Sequence, residues 1–178
     1  MFLAGRGATS WASATTIGNI TNTSQGSSLS IYMDGVSSGV ISSKGGTINI
    51  DGQCIISEVN SQNTDAGGSA ANIIISGDIS VGSVNANGTQ GTSGDAENIG
   101  GQGGNGGFIT VKNGVIADGI SAARGAGGTD SGAGSGPNGD IGSITALFST
   151  IPTTATGPED YPVPSIVACI VNGAFQAS

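Results

Sequence analysis

INIDGQCIISEVNS (residues 48–61), IIISGDISVGSVNA (residues 73–86) and ITVKNGVIADGISA (residues 109–122) superpose without a gap. Each stretch carries a small or branched apolar residue at offsets 0, 2, 6, 8, 11 and 13. In the first these are Ile48, Ile50, Cys54, Ile56, Val59 and Ser61. In the second they are Ile73, Ile75, Ile79, Val81, Val84 and Ala86, and in the third Ile109, Val111, Val115, Ala117, Ile120 and Ala122. Residues two apart in a strand share a face, so each pair marks a short strand, and the breaks between pairs re-aim the chain at corners. Gly52, Gly77 and Asn113 occupy the first corner. Glycine and asparagine tolerate the positive φ that a sharp bend demands.

A coil with three short sides cannot bury its apolar face alone, whereas stacked coils bury a continuous core. The spacing therefore predicts an all-β chain, a parallel β-helix (solenoid) of about four to five three-sided coils. Leu29, Ile31, Val40 and Ser42 fit offsets 0, 2, 11 and 13 of a further copy, and Ile144, Ala146 and Phe148 open another. Starting positions Leu29, Ile48, Ile73, Ile109 and Ile144 lie 19, 25, 36 and 35 residues apart, so insertions absorb the excess. They fall after the third strand pair, at residues 62–71, 87–107 and 123–142, and are expected to leave from one corner as glycine-rich loops. Left-handed helices built on hexapeptides keep a stricter period, which favours the right-handed form.

Composition agrees with a thin core. The 178 residues are 36% apolar but only 4% aromatic, and 34 are glycine. Such composition alone suggests disorder, but isoleucines at fixed offsets argue for packed strands with irregular loops between them. A net charge of −8 with only Arg6, Lys44, Lys112 and Arg124 as cations speaks against nucleic acid and against an anionic membrane. No apolar run approaches the ~20 residues that span a bilayer, so no membrane insertion is expected. Cys54 reads as a small buried hydrophobe, a disulfide to Cys169 requiring the C-terminal segment to fold back beside it. Without histidine and with two thiols, zinc lacks its usual ligands, and no cofactor or metal site is expected.

Residues 1–27 read as an N-terminal capping or docking segment, residues 28–150 as the solenoid with its insertions, and residues 151–178 as a proline-containing arm with a last strand. Solenoid ends need such covers. Offsets 1, 7 and 12 should face outward and are mostly polar, except for Ile55, Ile74 and Ile116. Loops or terminal arms covering these three is one explanation; the other is a subunit interface in a homotrimer.

The second insertion contains Gly100-Gly101-Gln102-Gly103-Gly104-Asn105-Gly106-Gly107. Three residues per turn is the polyproline-II repeat, and glycine at two of three positions lets extended backbones approach closely while the third side chain points out. Residues 126–138 are also glycine-rich, so the two loops either lie side by side as a small sheet or serve as flexible padding. Together with the stacked strands, this run resembles the glycine-rich surface β-helices of bacterial adhesins and the glycine-rich receptor-binding tips of bacteriophage tail fibres. In those tips the loops joining the glycine runs contact the host receptor. The resemblance implies receptor contacts at Gln102, Asn105, Asp130 and Asn138.

Other chemistries are less well served. Asp65, Asp95, Glu97, Asp130 and Asp140 gather in the loops, but the tandem nonapeptide of calcium β-rolls is absent, so solvated acidic loops are the better reading. A polysaccharide-degrading β-helix would need facing carboxylates, whereas Asp51, Asp78 and Asp118 stand at offsets 3, 5 and 9. No catalytic residue is assigned. An ice-binding face would show a threonine ladder, and the outward offsets mix Asn, Ile, Ser and Thr. The expectation is a non-enzymatic surface protein of a virion, a fibre tip or capsid decoration. Its partners would be its own copies, other virion proteins, or a host-surface receptor or glycan. An extracellular bacterial adhesin or surface-layer component is the alternative.

Overall fold

The computed structural model describes residues 15–129, 132–147, 155–156 and 165–168. Among them there is no helix, and the chain is all-β. The strands are β1 (Thr15–Ile17), β2 (Ile20–Asn22), β3 (Leu29–Ser43), β4 (Ile48–Asn60), β5 (Ile73–Asn85), β6 (Phe108–Lys112), β7 (Val115–Ser121), β8 (Ser143–Leu147), β9 (Ala155–Thr156) and β10 (Ser165–Ala168). They join in one sheet of order β1-β3-β4-β5-β6-β8-β10, with β2 beside β3 and β7 between β5 and β9. Each pairing is parallel. Strand order follows chain order, an arrangement compatible with a β-helix.

Between β4 and β5 the register is the one the repeat predicts. β4 and β5 pair from Ile48↔Ile73 to Asn60↔Asn85 without a slip. Ile50 lies beside Ile75, and Ile75 beside Val111, with all three at most 1% exposed. The column Leu29, Ile48, Ile73, Ile109, Ile144 runs through five strands. The core cluster holds Ile, Val, Ala, one Met and one Cys, and no aromatic ring. Stacking like on like at the ~4.8 Å strand spacing suits side chains of one width, which explains the dominance of isoleucine.

The three short strands expected in each block merge, in β4 and β5, into continuous 13-residue ladders. They bend at Gly52 and Gly77, whose φ angles are 110° and 102°, and the third corner falls at Asn113 with φ 58°. All three corner residues adopt the positive φ expected of them. A Cβ on Gly77 would collide with the carbonyl oxygen of Gly52, and one on Gly52 with that of Met33. Side-chain volume and backbone angle both restrict these two positions to glycine.

Two local registers differ from the gap-free alignment. In β3, Gly35 (φ 64°) is an extra residue opposite Gln53 and Cys54, so the inward positions downstream are Ile41 and Ser43 rather than Val40 and Ser42. A glycine in the left-handed region is the usual site of such a bulge. In the third block the corner is one residue shorter: Val115 pairs with Ser80, and Ile116 with Val81. The residue is recovered at Ala117–Asp118, after which Ile120 again faces Val84. Ile116 is consequently 2% exposed and belongs to the core, while Ala117 is exposed and Val115 half-buried. Ile116 is therefore not an outward interface residue. The slip places Gly114 and Ile116 inside, where the gap-free register would place Val115 and Ala117, so the number of buried side-chain carbons is unchanged.

Residues 15–22, assigned from sequence to a capping segment, add β1 and β2 to the sheet beside β3. At the other end β9 and β10 pair with β7 and β8. Trp11, Phe148 and Cys169 lie outside the described residues.

Cys54 is fully buried, and burial pushes its thiol up to about 12. The unfolded thiol ionises near 8.5, so the raised folded value contributes stability that is present below that pH and is lost as pH rises towards 12. Relative to Cys54→Val, the wild-type protein should lose on the order of 3 kcal/mol between pH 8 and 11, read from urea midpoints. Equal pH slopes in the two proteins would contradict this.

Candidate functional site

The insertions leave the strand stack through a repeated polar device. Asn60 and Asn85 are register partners at the ends of β4 and β5. Each accepts, through Oδ1, the backbone N–H two residues on, from Gln62 at 2.9 Å and Asn87 at 3.0 Å. This Asx geometry turns the chain out of the ladder at one corner. Asn63 repeats it with the N–H of Asp65 at 3.0 Å. The third insertion follows Ser121, the register partner of Asn85, so all three emerge at this corner, as the repeat lengths predict. The hydroxyl of Ser61 donates to the carbonyl of Ala71 at 2.6 Å and closes the first loop, and Lys44 ties it to β3 through Asp65 at 2.8 Å.

The two long insertions form a hydrogen-bonded bundle of four runs, at residues 86–94, 100–107, 122–129 and 134–142. Gly101, Gly104 and Gly107 donate their N–H groups to the carbonyls of Thr92, Thr89 and Ala86, each at 2.8 Å. Gly103 and Gly106 donate to Pro137 and Asp140, each at 2.9 Å. Gly88, Gly91 and Gly94 donate to Ala123, Ala126 and Thr129, each at 2.9 Å. Gly125 and Gly128 donate back to the carbonyls of Gly104 and Gly101 at 2.7 and 2.8 Å. Every series advances by three residues, the period of the polyproline-II helix.

That period explains the sequence. With three residues per turn, the run 100–107 presents three rows: Gly101, Gly104 and Gly107 face one neighbour, Gly100, Gly103 and Gly106 face another, and Gln102 and Asn105 form the third. The first two rows must lack side chains. A Cβ on Gly103 would strike the carbonyl oxygen of Gly125, one on Gly104 that of Gly68, and one on Gly128 that of Thr92. The side-by-side reading of the loops is the correct one, and flexible padding is not.

The four candidate receptor residues are placed differently from one another. Gln102 is exposed. Asn105 is half-buried; its Oδ1 accepts the N–H of Asp140 at 2.7 Å, while its own N–H donates to Ser69 Oγ at 3.0 Å. Asn138 Oδ1 accepts the N–H of Gly127 at 3.0 Å. These two amides act as cross-links between runs. Asp130 lies outside the described residues. Of the interface candidates, Ile55 and Ile74 are half-buried on the outer surface and Ile116 is internal.

Two further features were not singled out from the sequence. Ile99 is 65% exposed at the tip joining the first two runs. Beside it Asp95 Oδ1 accepts the N–H groups of Glu97 and Asn98 at 2.9 and 2.8 Å, and the Asn98 side chain also donates to it. These bonds hold the Asp95 carboxyl below its ordinary range, with the Asn98 side chain contributing most. The signal for the tip was legible as a lone large aliphatic in a polar glycine loop. The other feature is a corner row of register partners Asp34, Gln53 and Asp78. Gln53 Nε2 donates to Asp78 Oδ2 at 3.4 Å, while the buried Asp34 Oδ2 and Gln53 Oε1 have no hydrogen-bond partner.

Family models, curated proteins and solved structures yield no match to this chain. Its reading rests on its own geometry. Among the described residues no group of three or more His, Cys, Asp or Glu side chains is placed to hold a metal ion.

Proposed function

We propose that this chain is a right-handed, three-sided parallel β-helix that serves as a non-enzymatic attachment or structural protein at a virion surface, a fibre tip or capsid decoration, presenting the glycine bundle to its target. The observation that carries the reading is the bundle itself. Four runs are locked by period-three hydrogen bonds on one side of a rigid strand stack, with non-glycine side chains such as Gln102, Thr92, Thr129 and Pro137 on the exposed positions. Fixing loops this firmly opposes their conformational entropy, at about 1–2 kcal/mol per residue. A surface for recognition gains from that preorganisation, because less order must be imposed when a partner binds. Host-surface receptors or glycans, other virion proteins and further copies of the chain are the partners this reading calls for. The half-buried outward Ile55 and Ile74 suit the contact in a homotrimer.

Deleting residues 89–107 tests the reading, because it removes two of the four runs and leaves the strands of the stack in place. Binding of the purified protein to a panel of bacterial cells should fall to background, while the β-type circular dichroism persists. Undiminished attachment with intact folding would assign the loops an architectural role only. An extracellular adhesin would show the same dependence, and mass in solution separates the trimer expected of a fibre or decoration protein from a monomer.

A further inference from the structure

The strand face itself carries a second, independent feature. Tyr32 is 66% exposed, the most exposed large apolar side chain among the described residues. It lies in β3 at an outward position directly beside Asp51 of β4, which is followed by Ser76 of β5. One step along, Ser30, Asn49 and Ile74 form the adjacent outward row. These residues line a groove of ≈ 450 Å³, within the roughly 300–1,000 Å³ of small-molecule sites. Asn49 Nδ2 donates to Ser30 Oγ at 3.3 Å, which aligns the two groups. Asp51 Oδ1 accepts the N–H of Gly52 at 2.8 Å and fixes the carboxylate in place.

From this arrangement we infer that the groove is a binding site for a neutral saccharide. An exposed tyrosine ring offers a flat apolar platform at low entropic loss, to which the C–H face of a sugar ring is complementary. Asp51 supplies an acceptor for sugar hydroxyls, while Asn49, Ser30 and Ser76 supply both donors and acceptors. Ile74 forms an apolar wall. No cation lines the groove, and with a net charge of −8 the chain repels anions, so acidic sugars and phosphates are disfavoured. A quaternary ammonium ligand would want several aromatic faces, and only one ring is here. The site lies on the strands, so it stands whether or not the glycine loops bind anything.

The test is a titration of the full chain with lactose, maltose and N,N′-diacetylchitobiose, followed by NMR, with choline chloride as the cationic arm. At least one of the three disaccharides should bind with a Kd on the order of 1 mM. Tyr32→Ala should weaken it at least tenfold, whereas Tyr32→Phe, which keeps the ring, should stay within about threefold. Asp51→Asn retains an acceptor for the Gly52 N–H yet loses an anionic oxygen, and should weaken binding three- to tenfold. Phe108→Ala, at an exposed ring outside the groove, should change nothing. The proposal is overturned if none of the three sugars binds, if binding survives Tyr32→Ala, if Phe108→Ala abolishes it equally, or if only choline binds. All four variants alter exposed side chains, and unchanged amide spectra away from the groove confirm that each is folded.

Discussion

Replacing Gly104 by valine should dismantle the glycine bundle while leaving the strand stack folded. Gly104 sits where three neighbours converge: its N–H donates to Thr89 at 2.8 Å, its carbonyl accepts from Gly125 at 2.7 Å, and its Cα faces the backbone of Gly68. A Cβ there would overlap the carbonyl of Gly68 and lie 2.9 Å from the nitrogen of Ser69. The obstacle is main chain on every side, so no rotamer change relieves it. Overpacking against a movable side chain typically costs about 1–3 kcal/mol. Here the run itself must shift, and with it the bonds from Gly101, Gly103, Gly106 and Gly107 that share its helix. The local cost should exceed ~3 kcal/mol, enough to open a unit with no apolar core of its own. Amide hydrogen exchange reads it directly: protection of Gly88, Gly91, Gly125 and Gly128 should collapse, while Ile50, Ile75 and Val111 stay protected. Gln102→Val, two residues away on the exposed row, should leave all of these amides unchanged. Loss of protection throughout the strands would mean that the bundle and the stack unfold as one unit.

The contrast between those two positions shows how much of the molecule was readable in advance. The strand columns were legible because isoleucine at fixed offsets leaves one way to bury every copy at once, and Ile48↔Ile73 and Ile73↔Ile109 are indeed register partners. The corner residues Gly52, Gly77 and Asn113 were legible for a steric reason, since positive φ selects those residue types. The single-residue slips were not. Gly35 is one glycine among 34, and nothing local distinguishes a bulge from a loop residue. In the third block, Val115-Ile116-Ala117 offers an apolar residue on either face, so local alternation does not decide which side is buried. Only the assembled rows show that Gly114 and Ile116 take the buried positions. In the candidate site the period-three glycines announced the bundle, yet its hydrogen-bond partners lie at many different separations, from Gly101 with Thr92 to Gly88 with Ala123. Sequence therefore showed that the runs pack, and not which run meets which. For the same reason nothing in the sequence showed that the side-chain oxygens of Asn105 and Asn138, expected at receptor contacts, close contacts to Asp140 and Gly127.

Ile75→Ala is the second substitution with a large expected effect, and its partner Ile74→Ala makes the comparison informative. The two residues are adjacent in β5 and chemically identical. Ile75 is wholly buried, with Ile50 and Val111 as register partners on either side. Ile74 points outward between Asn49 and Thr110 and is half-buried. Truncating a buried isoleucine removes three carbons and leaves a void, at about 2–5 kcal/mol depending on how far the surroundings collapse. Collapse is restricted here. The strands above and below are held at their spacing by ladder hydrogen bonds, and the side chains filling the column are themselves short. The loss should therefore fall in the upper half of that range, ~3–5 kcal/mol, against less than about 1 kcal/mol for Ile74→Ala. Because a stack of rows is stabilised by nearest-neighbour contacts, weakening the middle row also uncouples the halves on either side. Urea unfolding of Ile75→Ala should then show a lower midpoint and a shallower transition than wild type. Equal effects at the two positions would mean that β5 does not bury one face and expose the other. The columns of like residues would then have no energetic basis, and neither would the strand-to-strand register on which the loop bundle and the Tyr32 groove both depend.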